Sequence, residues 1–409
     1  MRRTQEVLTL KNTIISEKDG FILARGDGQI ERKCGFTERY RTTSAEIAKS
    51  SEWKRNGSGA AFMQTEPGLS REYNYDSEIS GVALRGETYY YSATIDRSSG
   101  VFSASAIDPK QPEGNVIHGA DCEYGDIDVS VDGKKLVTSI KNDPFASSLA
   151  VFSLDENGGS QTLTGGDSRD EHPAFSLCDK DKILFSTAGI GRDYNGNFVR
   201  YSNSAIASYD LTSREITDVL SDEKHSLIHP RDDKNGNLYF IERPSVEKIK
   251  KPNIFIEILL IPFRIIYAIY KFLEAFTRIF TGKGFITKTD GDNPAKQKSE
   301  RDIVIDGYKI QAEKNLKSNA KRKEKFAGIA PRDWVLKKRD RSGETTVIAR
   351  GVIAYDIHPD GTIVYTNGRS VVAVDPNGAE TEVAKAKLML KVAVDKPVSE
   401  TSESSDIFD

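Results

Sequence analysis

The sequence predicts an all-β fold: a β-propeller of about seven four-stranded blades, six or eight also fitting the spacing, interrupted by one inserted apolar-helical, basic segment. Three observations carry this. One hairpin pattern recurs: an apolar strand, a tight Asp/Asn-Gly type of turn, then a second apolar strand. Its turns fall at residues 20, 57, 86, 133, 181, 236 and 361, and most gaps run from 29 to 55 residues, the length of a propeller blade. The 409 residues include 32 glycines and many Asp and Asn, a composition suited to turn-rich β structure.

Taken in order, the hairpins are IISEKDGFILAR (14–25), EWKRNGSGAAFM (52–63), GVALRGETYYYSA (81–93), IDVSVDGKKLVTSI (127–140), PAFSLCDKDKILFS (173–186), HPRDDKNGNLYFIE (229–242) and AYDIHPDGTIVYT (354–366). Asp-Gly and Asn-Gly between alternating apolar strands are strong hairpin signals, because both turn residues need positive φ. SSLAVFSLDENGGSQTLT (147–164) and RSVVAVDPNGAETEVA (369–384) repeat the style and would supply outer strands. A β-sandwich is the competing fold, but two stacked sheets have no reason to reuse one hairpin at blade-length spacing. The predicted organisation is propeller over 1–244, insertion over 245–330, propeller again over 331–395, and a disordered acidic tail over 396–409.

The long gap before residue 361 is one interrupted blade, left after Asn235-Gly236 and rejoined at Trp334. Within the insertion, residues 254–280 form an almost unbroken apolar run, with Glu257, Arg264, Lys271 and Arg278 spaced by seven. On an α-helix that spacing drifts by only about 20° per step, so these charges line one narrow stripe. Pro262 should kink or split the helix. Residues 311–326 are a second, basic helix candidate. Five charged residues argue against a membrane span. The remaining readings are an in-plane interfacial helix, packing on the protein's own propeller, and burial in a partner or a second copy. The interfacial reading is preferred, with Ile258, Phe263, Arg264, Ile265, Lys271, Phe272 and Arg278 as docking residues on an anionic membrane surface or a partner.

The net charge of −3 hides an asymmetry. Residues 245–330 hold 18 Lys/Arg against 10 Asp/Glu, or +8, so the rest carries −11. Three scattered cysteines, Cys34, Cys122 and Cys178, exclude a CxxC zinc knuckle and give no disulfide framework. The N-terminus lacks the apolar stretch of a signal peptide, so the expected location is cytoplasmic, peripheral at the inner face of the membrane through the helix.

Trp53-Lys-Arg-Asn-Gly-Ser-Gly-Ala-Ala-Phe62 and Val129-Ser-Val-Asp-Gly-Lys-Lys-Leu-Val137 resemble the W-S-P-D-G-K-x-I-A-F repeat of TolB-like, WD-repeat-like propellers, and Asp170-Glu-His-Pro-Ala-Phe-Ser176 resembles the approach to it. Only one unit keeps Trp, and Asp181 replaces the turn glycine in another. Pro262-Phe263-Arg264 is similar to the insert of a group of bacterial TolB-like proteins. That likeness implies a scaffold rather than a chemistry, and as partners AAA+ and von Willebrand-type proteins of bacterial conflict systems.

No motif displays a reaction. Phosphate loops, a nucleophile elbow and H-E-x-x-H are missing, so no catalytic residue, metal ligand or cofactor is assigned. His172, His229 and His358 each precede Pro, but lie 9, 7 and 3 residues from the following turn. They share no register by that measure and read as strand-edge or turn histidines. Asp167, Asp170, Glu171 and His172 cluster before an inner strand and are the candidate ligand-binding residues at the channel mouth. Converging carboxylates there could hold a cation, which gives the alternative function, a metal-assisted hydrolase or lyase. Asp193–Asn197 and Asp233–Asn237 begin like calcium loops but lack the required Gly and Glu, and read as Asn-Gly turns. The basic run 321–325 lacks interleaved aromatics, so nucleic acid is not an expected partner.

Overall fold

The computed structural model of the protein describes residues 13–17, 20–25, 28–50, 303–398 and, apart from 109, 121, 142, 156 and 157, residues 76–245. The chain opens with β1 (Thr13–Glu17), β2 (Gly20–Arg25), β3 (Gly28–Lys33) and α1 (Gly35–Ser50). A first blade is built from β4 (Ser77–Arg85), β5 (Thr88–Ile95), β6 (Ser98–Ser105) and β7 (Gly114–Ala120). The second follows with β8 (Glu123–Val129), β9 (Lys135–Lys141), β10 (Ser148–Ser153) and β11 (Ser160–Thr162). The third has β12 (Ser168–Phe175), β13 (Lys182–Arg192), β15 (Ala205–Asp210) and β16 (Ile216–Leu220), with β14 (Phe198–Tyr201) pairing on an extension of β13.

In the fourth blade β17 (His225–Asp232) and β18 (Leu238–Pro244) are completed by β21 (Val335–Arg339) and β22 (Thr345–Arg350). Between them come β19 (Ile303–Ile305), β20 (Tyr308–Ile310) and α2 (Ala312–Lys321). The pairing of β18 with β21 places the break in this blade where the Asn235-Gly236 hairpin and Trp334 predict it. The remaining strands, β23 (Ala354–Ile357), β24 (Ile363–Thr366), β25 (Gly368–Val374) and β26 (Glu380–Val394), share one seven-stranded sheet with β1–β3.

That sheet is two blades joined through one strand. Glu380–Lys385 of β26 pair with β25 and Val392–Val394 with β1, while Met389 stands opposite both. The same strand is thus outermost in one blade and innermost in the next. Inner strands contact one another in a closed circuit, β4 with β8, β12, β17, β23, β26 and back to β4. Among the described residues, four discrete blades plus the double sheet give six around the axis, one of the counts the hairpin spacing allowed. Six of the seven hairpins mark one blade each, β1–β2 in the blade whose inner strand is β26, and the seventh, 52–63, lies outside the described residues. In five blades the innermost pair is the predicted hairpin. Gly86, Gly133, Gly236 and Gly361 turn four of them at φ of 59°, 74°, 73° and 91°, where any L-residue is strained.

Apolar side chains pack between blades rather than in one centre. Ile14, Phe21, Tyr89, Tyr91 and Phe102 fill the joint between β1–β3 and the first blade, with the Phe21 ring 4.8 Å from Tyr91. Val137, Leu149, Phe175, Ile183 and Phe185 fill that between the second and third blades. Burying each such side chain contributes about 1.5–3 kcal/mol. The joint between the fourth and fifth blades is more polar: Tyr355 donates to the His229 carbonyl at 2.7 Å.

Three elements depart from the sequence reading. Residues 35–50 form α1, which the hairpin pattern gave no reason to expect; Phe36 near its start stacks 4.5 Å from Phe102. Lys396, assigned to the disordered tail, is buried and paired. The chain divides into compact units of Met1–Pro244 with Lys314–Asp409 and of Ser245–Glu313, so the second boundary lies before 330. Asn319 of α2 donates to the Gly328 and Ala330 carbonyls at 3.0 and 3.2 Å, and Asn367 donates to Phe326 O at 2.8 Å. The described part of the second unit is the β19–β20 hairpin, turned by Asp306-Gly307 at positive φ. The apolar run 254–280 and its docking residues Ile258, Phe263, Arg264, Ile265, Lys271, Phe272 and Arg278 lie outside the described residues, as does the tail from 399. Among the described residues no helix is long and apolar enough to cross a membrane.

Candidate functional site at the propeller axis

Four of the inner strands carry the same irregularity. In β8, β12, β17 and β26 a pair of residues, Gly125-Asp126, His172-Pro173, His229-Pro230 and Leu390-Lys391, stands opposite a single partner residue. This is a β-bulge, which re-aims side chains and is one of the few places a sheet accepts Pro. His172 and His229 hold φ of 54° and 52°, a left-handed conformation uncommon for side-chain-bearing residues. Both imidazoles turn to the axis, with ring centroids 3.7 Å apart. The two histidines therefore do share a register, contrary to their unequal distances from the following turn. His358 keeps its predicted place in a turn, with Nδ1 2.8 Å from Asp360.

Asp126 faces the histidines from β8. Its Oδ2 lies 3.6 Å from His172 Nε2, while its Oδ1 accepts from Lys391 Nζ at 2.6 Å. Together with Arg231 and Tyr355 these residues line a cavity of about 20 Å³.

The four residues singled out at the channel mouth do not converge. Only His172 reaches the axis. Asp167 is exposed and held by Arg192 at 2.8 Å, and that guanidinium keeps its carboxyl below the usual carboxylate range. Asp170 and Glu171 point to opposite faces of β12, as neighbours in a strand must. Asp170 is buried and accepts from Thr187 Oγ1 at 2.7 Å. Glu171 takes both arms of Arg169, at 2.7 and 2.6 Å.

Buried charges fill the rest of the axis. Asp356 Oδ1 lies 2.8 Å from Lys396 Nζ and 3.3 Å from the Arg231 guanidinium. Asp128 stands 3.7 Å from Arg231 and 3.9 Å from Lys396. Arg85 donates to the Val129 carbonyl at 2.5 Å beside them. Burial alone would push the Asp356 carboxyl up, but Arg231 and Lys396 outweigh it and hold it below its ordinary range. Asp232 goes the other way: burial raises it despite hydrogen bonds from Ser176 and from the Leu177 and Cys178 backbones. The carboxylates also tie blades together, since Asp128 accepts from Phe175 N at 2.9 Å and Asp356 from Val394 N at 3.0 Å.

A second His/carboxylate grouping, Asp222, His225 and Glu242, is engaged locally. Asp222 accepts from the Lys224 and His225 backbones at 2.6 and 2.9 Å, and Glu242 pairs with Lys337 at 2.5 Å. The calcium-loop lookalikes are turns: Asp193 and Asp233 each accept from backbone amides two and four residues on, with Gly196 and Gly236 at positive φ.

No family model and no curated protein sequence matches the chain. Among solved structures it is similar to TolB from Acinetobacter baumannii, with 9% identity and a TM-score of 0.48 over 94% of this chain and 66% of that one. It is also similar to a putative TolB from Agrobacterium tumefaciens, at 13% identity and a TM-score of 0.39 over 77% and 83% of the two chains. An oligogalacturonate lyase solved with manganese gives 12% identity and a TM-score of 0.39 over 75% and 64%. The propeller is read from the strand pairing, not from these likenesses.

Proposed function

We propose that the protein is a non-enzymatic propeller scaffold that binds other macromolecules through its rim and its inserted segment. The observation that carries this reading is where open space lies. The axial cavity of about 20 Å³ has room for one water, far below the roughly 300 Å³ at which ligand pockets begin. Hollows of about 400 and 450 Å³ lie instead beside Asp96, Glu123 and Asp143, and beside Phe326, Arg369 and Glu382. A hydrolase or lyase working at the axis has no place there for a substrate.

The segment 253–280 supplies the attachment: its apolar faces and basic flank suit an anionic membrane, or a partner held on one, at the cytoplasmic surface. Ten side chains half buried would contribute on the order of 10 kcal/mol before ordering costs. The resemblance of the insert adds AAA+ and von Willebrand-type proteins as candidate partners on the rim. Flotation of the full chain with vesicles containing acidic lipid, at low and high salt, tests the reading. Wild type should float and lose affinity with salt, and replacing Ile258, Ile265 and Phe272 with Asp should abolish flotation without changing the β circular dichroism. Wild type remaining with the soluble fraction at both salt concentrations would refute membrane attachment.

A further inference from the structure

We infer that Asp126, His172 and His229 form a buried site for one divalent ion of the zinc class, whose work is to pin three successive inner strands together. Each ligand comes from a different blade, β8, β12 and β17, and their donor atoms all lie within 4.8 Å of one another. A tetrahedral zinc site needs its donors roughly 3.3 Å apart. Two imidazole rings and one carboxylate reach that spacing by side-chain rotation, with the rings parting by roughly 1.5 Å to stand about the metal. The cavity between them, about 20 Å³, has room for the ion itself, and the fourth position is left to a water on the side where Asp126 and Lys391 are exposed.

Three further features favour a site over an accident of packing. Both histidines occupy left-handed backbone, at φ 54° and 52°, and such strain persists where the surroundings over-determine it. Each is followed by Pro, which restricts the bulge further. Asp126 is also held from behind: Lys391 binds Oδ1 at 2.6 Å and leaves Oδ2 toward the imidazoles, the outer-shell arrangement that orients ligating carboxylates. The neighbouring Arg231 is matched by Asp128 and Asp356. Asp126 and Lys391 keep 20% and 14% of their side-chain surface exposed, which gives an ion its way in. Imidazole with carboxylate selects zinc and its neighbours over calcium or magnesium. Three protein ligands and one water is also the ligand count of a catalytic zinc; the lack of substrate space beside it is what assigns this ion a structural role.

The full-length chain, stripped with a chelator, is titrated with Co²⁺ and then with Zn²⁺. The expected result is one Co²⁺ per chain, with the d–d bands of a four-coordinate nitrogen/oxygen site, no thiolate charge-transfer band, and displacement by Zn²⁺. His172→Asn and His229→Asn, which keep a residue tolerant of positive φ, should each weaken binding by at least about 100-fold. Cys122→Ser and Cys178→Ser should leave it unchanged. Failure of wild type to take up a stoichiometric ion, a thiolate band, or full binding in the His→Asn variants would overturn the site. If a His→Asn chain does not fold, the wild-type spectrum decides alone, because imidazole and thiolate ligands give different bands.

Discussion

The Arg243 guanidinium lies 3.6 Å from the centre of the Trp334 ring, and the two residues stand at either end of the excursion that interrupts the fourth blade. Arg243 is fully buried near the end of β18, and Trp334 immediately precedes β21. A desolvated cation over an indole contributes about 2 kcal/mol or more. The pair thus closes the blade at the point where the chain leaves and returns.

Trp334→Ala should destabilise the propeller by about 3–5 kcal/mol, from lost burial together with an Arg left without its ring. Urea unfolding should show a lower midpoint at an unchanged slope. Trp334→Phe, which keeps an aromatic face, should cost less than half as much. Equal losses in the two variants would show that ring stacking is not what matters.

The insertion should be separable, but at a different boundary from the one composition suggests. Replacing 246–313 with a short Gly/Ser linker should preserve cooperative melting, since closing a longer or shorter loop changes stability only logarithmically. Replacing 246–330 also removes α2 and the 322–330 segment that holds Asn367. It should cost a further ~1–3 kcal/mol for the buried polar groups left unmatched. A molten product from the shorter deletion would contradict the division at Glu313.

Asp356→Asn should cost about 3–5 kcal/mol, because it leaves Arg231 and Lys396 buried against Asp128 alone. Asp128→Asn should cost a comparable amount. The double variant should cost less than the sum of the two, since both carboxylates answer the same cations. Denaturation midpoints of the four chains measure this coupling, and strict additivity would refute a shared network.

Two buried carboxyls should act in opposite senses on acid stability. The Asp356 carboxyl is depressed in the fold. Its contribution is therefore complete above the unfolded value of about 3.9 and is lost as pH falls through the lower folded value. Asp232 is raised, so it binds its proton more tightly in the fold. Its contribution is largest at low pH and is lost as pH rises from about 3.9 through the folded value. Asp356→Asn should flatten the rise of stability with pH on the acid side, and Asp232→Asn should steepen it. Unfolding free energies measured in steps from acid to neutral pH would expose an error of sign.

What the sequence made legible was local. The hairpins turned at Gly86, Gly133, Gly236 and Gly361 are written in adjacent residues, and so are the Asp193 and Asp233 turns. The axial cluster is not local. Counting forward from His172 and His229 to the next turn crosses loops of different length, Ser176–Asp181 against Asp233–Asn237, and that hid their common register. Counting from one His-Pro to the next gives 57 residues, about one blade, which was the available signal. Asp126, Asp128, Arg231, Asp356, Lys391 and Lys396 share no motif and meet only because six strands converge. The closure was hidden for a related reason: nothing in residues 380–394 says that one strand serves two blades.

That shared strand orders events in time. A ribosome delivers β1–β3 long before Met389–Val394, the inner segment with which β1 pairs. Until then three strands wait with an unpaired edge and an uncovered apolar face formed by Ile15 and Ile22, which pack with Met389, Val392 and Val394. Pairings so distant along the chain form slowly, and an open edge invites pairing with a neighbour. Synthesis in the cell thus has an exposed interval built into it, ended only when the last strand is clasped. A nascent chain stalled before residue 389 should therefore be a better chaperone client than the same chain carried past residue 398.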